Sequence, residues 1–160
     1  MTLLDKKDRP FEVRSCETGD YIYLIEMYDN FTPKGAFQGM PPRDKDSSDK
    51  WIQHILRNGK NFLAWRSGKV IGHVAIFPDF DRKNAEYLIF VSSSARGSGV
   101  GKELTRRAIR CAGELGLTSV WLTVDSFNFR AIRLYKKVGF ESCEAYSAAS
   151  ERMMVLNIRD

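Results

Sequence analysis

The residues best suited to chemistry in this sequence form a glycine-rich run, Arg96-Gly97-Ser98-Gly99-Val100-Gly101-Lys102. The run lies between an apolar segment that favours a strand and a segment with helical periodicity. Free backbone N–H groups at the start of such a helix can hold an anion, and glycines at alternate positions let a ligand approach the main chain closely. The run therefore predicts a loop that binds a phosphate-bearing ligand, against the alternative of a glycine-rich turn with no ligand.

Two common nucleotide-binding motifs do not fit this run. A Walker loop ending at Gly101-Lys102 needs a glycine where Arg96 stands and a Ser or Thr where Glu103 stands. A dinucleotide fingerprint needs a glycine at Lys102 or at Leu104, depending on which glycine begins it. Both motifs are excluded at this place.

A basic excess surrounds the run. Between Arg96 and Lys137 nine basic residues stand against three acidic ones, a local charge of +6 in a chain whose net charge is +5. Solvated helix faces would explain the excess without any ligand. The other explanation is an anionic ligand, either a small phosphate-bearing cofactor or nucleic acid.

Periodicity predicts the elements that position the run. Glu86–Val91 is nearly all apolar and favours a buried strand. After the run, apolar residues at helical spacing predict a helix that ends at Gly116. The other predicted elements are strands at Phe11–Arg14, Phe62–Trp65, Val70–Phe77, Ser119–Val124, from Phe140 onward and at Met153–Ile158, and helices from near Tyr21, at Ser48–Arg57 and at Arg130–Val138. Residues 32–50 hold three of the five prolines and predict a long loop.

In this setting the sequence resembles the GNAT superfamily of N-acetyltransferases. The family's central motif, Arg/Gln-x-x-Gly-x-Gly/Ala after a strand, is matched at every required position by Arg96-Gly97-Ser98-Gly99-Val100-Gly101. The similarity continues in Ala85-Glu86-Tyr87-Leu88-Ile89-Phe90-Val91, and then in Val124, Asn128, Ala131-Ile132, Leu134-Tyr135 and Gly139-Phe140. The resemblance implies an α+β (mixed α/β) fold: a central mixed, mostly antiparallel sheet with flanking helices and a strand-loop-helix acetyl-CoA site, in a single domain over residues 1–160.

The resemblance also implies acetyl-CoA as cosubstrate and no metal. In GNAT enzymes the strand before the loop and the next strand splay apart, and the pantetheine arm pairs with the first of them like an added strand. Val91 would give its N–H to the thioester carbonyl and so form a backbone oxyanion hole. The other implied coenzyme contacts are Phe90, the amides of Arg96, Gly97, Ser98, Gly99, Val100, Gly101 and Lys102, and Asn128. The side chains of Lys102, Arg106, Arg130 and Arg133 are candidates to meet the phosphates.

Acetyl transfer to an amine needs a neutral nitrogen. An alkylamine has a pKa near 10.4, so its deprotonation at pH 7 costs about 4 to 5 kcal/mol, and a general base or a water relay is expected. By family position Glu86 is the predicted base, against the alternative of a surface ion pair with Arg82 or Lys83. His73 is the rival base, although a lone histidine among apolar residues is more often a hydrogen-bonded core group.

The leaving thiolate needs a proton or a strong hydrogen bond. Tyr135 matches the position of the family's general acid; the alternative is an aromatic ring that only packs on its helix. Cys111 lies on an apolar helix face, and neither Cys16 nor Cys143 has a visible histidine partner. An acyl-cysteine intermediate is therefore not expected, and direct attack of the amine is.

The acceptor amine is not identified by the sequence. The loop from Thr32 to Lys50, with Phe37, Gln38 and Met40, corresponds by order to the region that shapes the acceptor site in the superfamily. Its acidic residues Asp44, Asp46 and Asp49 are balanced by basic ones. Small-molecule amines, protein lysines and protein N-termini all stay open.

Composition limits the class of protein. A chain of 160 residues with 43% hydrophobic and 28% charged residues fits one globular domain. The longest apolar runs have five residues, and the first ten residues are polar, so neither a membrane span nor a signal peptide is expected and a cytoplasmic location is. Three cysteines without paired spacing predict neither a disulfide framework nor a zinc site. A homodimer stays open.

Two other functions use the same features. A non-catalytic acyl-CoA sensor would keep the glycine loop but would not need Glu86 or Tyr135. Nucleic-acid binding through the basic helices would need a platform of aromatic residues, which the sequence does not arrange, so a nucleic-acid partner is not expected. Acetyl transfer to an amine is the function that accounts for all of these residues.

Overall fold

One twisted sheet runs through the molecule. The structure, a computed structural model, describes residues 1–32, 34 and 41–158. The strands are β1 (Leu3–Leu4), β2 (Pro10–Ser15), β3 (Lys60–Arg66), β4 (Lys69–Asp79), β5 (Asn84–Val91), β6 (Ser119–Asp125), β7 (Glu141–Ser142) and β8 (Glu151–Asn157), and the helices are α1 (Tyr21–Asp29), α2 (Lys45–Asn58), α3 (Val100–Glu114) and α4 (Phe129–Val138). The strand order is β1-β2-β3-β4-β5-β6-β8-β7. Within the described residues β5 and β6 form a parallel pair and every other neighbouring pair is antiparallel. The predicted mixed, mostly antiparallel sheet is confirmed.

The two faces of the sheet carry two separate hydrophobic cores. On one face Tyr87 and Ile89 of β5 pack in a core with residues of α3 such as Leu104. On the other face Phe90 packs with residues of α1 and α2, including Leu24. Because successive side chains of a strand point to opposite faces, the unbroken apolar run of β5 is explained by burial on both sides.

The predicted loop over residues 32–50 is shorter than expected. Helix α2 begins at Lys45, where the Asp44 carboxylate accepts a hydrogen bond from the Ser47 amide at 2.9 Å and caps the helix. The sequence pattern predicts a start at Ser48, because the first turn of α2 is polar. Phe37, Gln38 and Met40 of the predicted acceptor loop lie outside the described residues.

Helix ends and the chain's first strand complete the fold. Gly116 and Gly139 follow α3 and α4 with φ of +80° and +112°, a backbone region that suits glycine. Strand β1, only two residues long, was not predicted, and it pairs with β2 through Leu3 and Phe11. No helix among the described residues is long and apolar enough to cross a membrane.

His73 is a core residue, as the less specific interpretation held. Its Nε2 lies 2.7 Å from the Asn61 side-chain oxygen, and its Nδ1 lies 2.6 Å from the Tyr28 hydroxyl. Since that oxygen can only accept, Nε2 carries the proton and Nδ1 accepts from Tyr28. Burial lowers the pKa of His73 to about 3. The ring is thus neutral and fully engaged, and it cannot act as the base of the site.

Burial of neutral His73 predicts acid sensitivity of the fold. Between its ordinary pKa of 6.5 and its folded pKa of about 3, the unfolded chain binds a proton that the folded chain does not. The free energy of unfolding should therefore fall as pH falls below 6.5, by about 1.4 kcal/mol per pH unit for this one proton. Urea unfolding between pH 5 and 6.5 measures the slope.

His73→Gln should lower stability overall but reduce that slope by one proton. His54 is exposed, so His54→Gln is the matched control and should keep the parent slope. An unchanged slope in His73→Gln would show that other groups cause the acid sensitivity.

Candidate active site

The sheet opens between β5 and β6. Cα partners join these parallel strands only at Asn84–Glu86 and Ser119–Trp121. Beyond them β5 stays paired with β4 as far as Val91, while β6 stays paired with β8 as far as Asp125. The two strands therefore diverge after Glu86 and leave a gap, which is the splay that the family resemblance implied.

Alternate backbone groups of β5 face this gap. The Ser92 amide donates to the Ile71 carbonyl at 2.9 Å, so Ser92 and Ile71 form a hydrogen-bonded pair of the antiparallel ladder. Such pairs recur at every second residue, and the register between β4 and β5 has no shift. Even-numbered residues of β5 thus direct their N–H groups toward β4. The N–H groups of Ile89 and Val91 point the other way, into the gap, whereas that of Tyr87 belongs to the stretch that is still paired with β6.

Phe90 does not line the gap, contrary to its predicted role in coenzyme binding. Its backbone faces His73 on β4. Its side chain is buried, with edge-on contacts to Tyr28, Phe31 and Trp51 at centroid distances of 5.4 to 5.8 Å. The sequence of β5 is uniformly apolar, so it does not show whether odd- or even-numbered residues direct their backbone groups to the gap. In the structure the Val91 backbone faces the gap and the Phe90 backbone faces β4.

The glycine loop forms the mouth of the gap. Gly97 and Gly99 have φ of +72° and +97°, and Gly99 is the N-cap of α3. Outside the helix itself, the amides of residues 97–102 donate no hydrogen bond within the described structure. The Ser98 hydroxyl is buried and donates to the Ala95 carbonyl. The predicted row of free amides at a helix N-terminus is therefore present and can bind an anion.

Arg96 serves the site through its side chain as well as its amide, which sequence reasoning missed. Its Nε donates to the Val91 carbonyl at 3.0 Å and its Nη2 to the Thr32 carbonyl at 2.6 Å, and the guanidinium lies 5.0 Å from the centre of the Phe31 ring. Partial burial, and then the charge of Arg130, lowers the pKa of Arg96. This guanidinium fixes the end of β5 to the segment after α1.

The other basic residues that could meet the phosphates differ in whether they already form ion pairs. Arg106 pairs with Glu103 at 2.7 Å, whereas Lys102, Arg130 and Arg133 are in no ion pair within the described residues. The effect of Arg130 on Arg96 places these two charges near each other at the mouth of the gap.

Asn128 is the N-cap of α4. Its side-chain oxygen accepts from the Ala131 amide at 3.3 Å. Its side-chain nitrogen makes no hydrogen bond to any residue that the structure describes. The capping bond fixes the orientation of the side chain, and the NH₂ group stays able to donate to a ligand in the gap.

Tyr135 lies in the second half of α4, against β5. Its ring contacts those of Tyr87 and Phe140 edge-on, at centroid distances of 6.0 and 5.9 Å. Its hydroxyl bonds to none of the described residues, and burial raises its pKa to about 12. The hydroxyl therefore keeps its proton at neutral pH. The neighbouring Tyr87 hydroxyl is already used, 2.6 Å from the Thr105 hydroxyl.

Glu86 is the last residue of β5 that pairs with β6. It is in no ion pair with Arg82 or Lys83; Arg82 instead lies 4.0 Å from Asp79. Although the residue is exposed, the surrounding protein desolvates its carboxyl enough to raise the pKa. No cation among the described residues pairs with this carboxylate at the base of the gap, so it is chemically able to accept a proton.

Position along β5 decides which groups can act together. Glu86 and the Tyr135 ring, which contacts Tyr87, lie at the same level near the base of the gap. Val91 is five residues further, roughly 16 Å along a strand, so its amide cannot serve the same carbonyl as Glu86 and Tyr135. The Ile89 amide, which also faces the gap, is the donor nearer to both.

Several other predicted groups are engaged elsewhere. Lys45 pairs with Asp29 at 2.8 Å and with Asp49 at 3.2 Å, so its cation already partners these two carboxylates, while Asp44 caps α2. The three cysteines are unpaired. Burial raises the pKa of the Cys111 thiol. Burial, together with the negative charges of Asp20 and Glu17, raises the pKa of the Cys16 thiol to about 11. Over the described ranges no three His, Cys, Asp or Glu side chains are grouped so as to hold a metal ion.

The chain is similar to known acetyltransferases in sequence. The profile of the acetyltransferase (GNAT) family matches residues 22–140. The chain is 30% identical over 119 residues to N-acetyltransferase family 8 member 2 of Rattus norvegicus, an alignment that covers 71% of this chain and 53% of that protein. The chain thus spans about half the length of this relative.

Solved structures show the same fold. The GNAT domain of PAT from S. lividans superposes with a TM-score of 0.85 at 15% identity, over 98% of this chain and 96% of that one. YncA from Salmonella typhimurium, solved with acetyl-CoA, superposes with a TM-score of 0.71 at 20% identity, over 94% of this chain and 95% of that one. With its splayed strands, its glycine loop and a family profile that covers both, the chain belongs to the GNAT family of acetyltransferases.

Proposed function

We propose that this protein transfers an acetyl group from acetyl-CoA to a primary amine by direct attack. The observation that carries the proposal is the gap between β5 and β6, whose inward-facing amides continue into the free amides of the glycine loop. The amides of Ile89 and Val91 fit the amide groups of an extended pantetheine arm, and residues 97–102 fit a pyrophosphate. The thioester of the bound coenzyme supplies the acetyl group.

The chain's own groups then have distinct roles. Glu86, or a water that it holds, takes the proton from the amine, because its carboxylate lies at the base of the gap with no cationic partner. The Ile89 amide stabilises negative charge on the carbonyl oxygen. Tyr135 gives its proton to the departing sulfur. This assignment moves the oxyanion donor from Val91 to Ile89 and leaves Val91 to hold the arm.

The acceptor is a small-molecule amine or a protein lysine or N-terminus. The test is acetyl-CoA turnover, followed as free thiol, against a panel with members of each class. Turnover with one class identifies the acceptor. Tight coenzyme binding without turnover on any acceptor would favour a non-catalytic acyl-CoA sensor instead.

Gly99→Val should weaken coenzyme A binding at least about tenfold, as measured by isothermal titration calorimetry. Valine is strained at the φ of +97° that directs the loop amides outward. Gly68→Val is the matched control, because Gly68 also has a positive φ (+76°), with open space around it, in the turn between β3 and β4. The control should lose similar stability but keep its affinity. A folded Gly99→Val protein with parent affinity would contradict the loop as the binding site.

Tyr135→Phe should lower turnover by roughly 10²-fold or more while leaving coenzyme affinity nearly unchanged. The substitution keeps the ring contacts with Tyr87 and Phe140 and removes only the proton donor. Steady-state kinetics combined with calorimetry separates the two effects. Tyr23→Phe, at an exposed ring on α1, is the control and should be silent. Parent turnover in Tyr135→Phe would assign Tyr135 to packing alone.

Glu86→Gln should reduce turnover at neutral pH and remove one limb of the pH–rate profile. Partial burial raises the carboxyl pKa above its ordinary 4.5, and a base works only when deprotonated, so the rate should rise with pH through that raised pKa. The profile is measured with an acceptor of lowered pKa, so that titration of the amine does not mask it. Glu12→Gln, at an exposed carboxylate of β2, controls for loss of a strand charge. Identical profiles for Glu86→Gln and the parent would place the base elsewhere.

A further inference from the structure

Lys6, a residue far from the glycine loop in sequence, lies against it in the fold. The Lys6 amide donates to the Ser98 carbonyl at 2.8 Å. The Cγ of Lys6 lies 3.9 Å from the point where a Cβ on Gly99 would stand. Its side chain therefore begins directly beside the free amides of the loop. The family profile starts at residue 22, so this contact comes from a part of the chain outside the matched region.

A buried carboxylate holds the turn that carries Lys6. The side chain of Asp5 is fully buried and accepts from the amides of Lys7 and Arg9 at 2.8 and 2.9 Å. It also pairs with Arg9 at 3.1 Å and with Arg66 of β3 at 2.6 Å. Burial would raise the pKa of Asp5, but the amide bonds and the two arginines lower it. The turn is thus anchored to the sheet as an ionised, fully bonded unit, and Lys6 has a fixed origin.

Two further lysines reach the same place. The close approach of the Lys137 amino group, followed by that of Lys102, lowers the pKa of Lys6. Lys102 lies in the first turn of α3, where the positive end of the helix dipole disfavours a cation. Lys137 lies in the last turn of α4, where the helix dipole favours a cation. The dipole does not explain why Lys137 lies near other lysines.

No carboxylate in the described part of the chain balances these charges. Among the residues that the structure describes, none of the three lysines has a carboxylate within 4.0 Å. The Lys6 side chain begins beside the α3 N-terminus and its free amides, with Lys102 in the first turn of the same helix, and a bound polyanion would balance this positive charge.

We propose that Lys6, supplied by the N-terminal turn, forms with Lys102 a phosphate subsite that contacts the coenzyme beside the glycine loop. This proposal rests on the proposed function, because it names the part of acetyl-CoA that these lysines recognise. Coenzyme A carries a ribose 3′-phosphate in addition to its pyrophosphate. Both are phosphate groups that lysine ammonium groups bind, and comparison with dephospho-CoA, which lacks the 3′-phosphate, distinguishes them.

The experiment measures the affinity of the full chain for coenzyme A and for dephospho-CoA by calorimetry. Lys6→Gln should weaken coenzyme A binding about three- to tenfold, the loss of one charge-assisted contact. Lys7→Gln is the matched control: it removes the same charge from the neighbouring exposed side chain and should leave both affinities unchanged. Lys6→Arg keeps the charge and should keep most of the affinity.

The outcomes distinguish the 3′-phosphate from the pyrophosphate, and the lysine subsite from the proposed function. A Lys6→Gln loss seen with coenzyme A but not with dephospho-CoA assigns the subsite to the 3′-phosphate, and an equal loss with both ligands assigns it to the pyrophosphate. If the parent binds coenzyme A and Lys6→Gln behaves like Lys7→Gln with both ligands, the subsite is overturned and the proposed function stands. If the parent chain binds neither ligand, both proposals are overturned.

Discussion

The divergence of β5 from β6 is the constraint on which the rest of the site depends. Where two neighbouring strands of a sheet separate, the backbone N–H groups that face the opening have no strand partner. Such groups must bond to water or to a ligand. Here β5 is held to β4 along its whole length, while β6 is held to β8. The gap is therefore built into the sheet order and does not need a mobile loop. A ligand with its own amide groups completes the missing pairing.

One guanidinium closes the end of this opening. Arg96 bonds to the Val91 carbonyl, which faces the gap, and to the Thr32 carbonyl, and it stacks on Phe31. The strand that would hold the coenzyme is thereby tied to the segment that follows α1, on the face of the sheet where α1 and α2 pack. Any movement of that segment acts on the end of β5. The motif arginine thus has a structural task in addition to the amide that the motif alone suggests.

Local patterns predicted the glycine loop and the two helices after it, because free helix amides, apolar spacing and terminal glycines such as Gly139 are properties of short segments. The mixed sheet was implied by the family resemblance. The facing of Phe90 was not predictable, since an unbroken apolar run carries no alternation. Lys6 was not predictable either, because its approach to Ser98 depends on how the first turn packs against the sheet through Asp5 and Arg66. The separation of Glu86 from Val91, in contrast, follows from counting residues along a strand.

That separation divides the gap into two ends with different tasks. The groups that we propose to bind phosphate, the loop amides and Lys6, lie at the mouth. Groups able to transfer protons lie near its base, where Glu86 and Tyr135 stand at one level of β5. A contact made equally before and during reaction contributes to affinity, whereas one that strengthens only in the transition state contributes to rate. Because roughly 3.3 Å of strand per residue separates the two ends, changes at the mouth and at the base act through different parts of one bound molecule, and their effects on binding and on turnover should be largely independent.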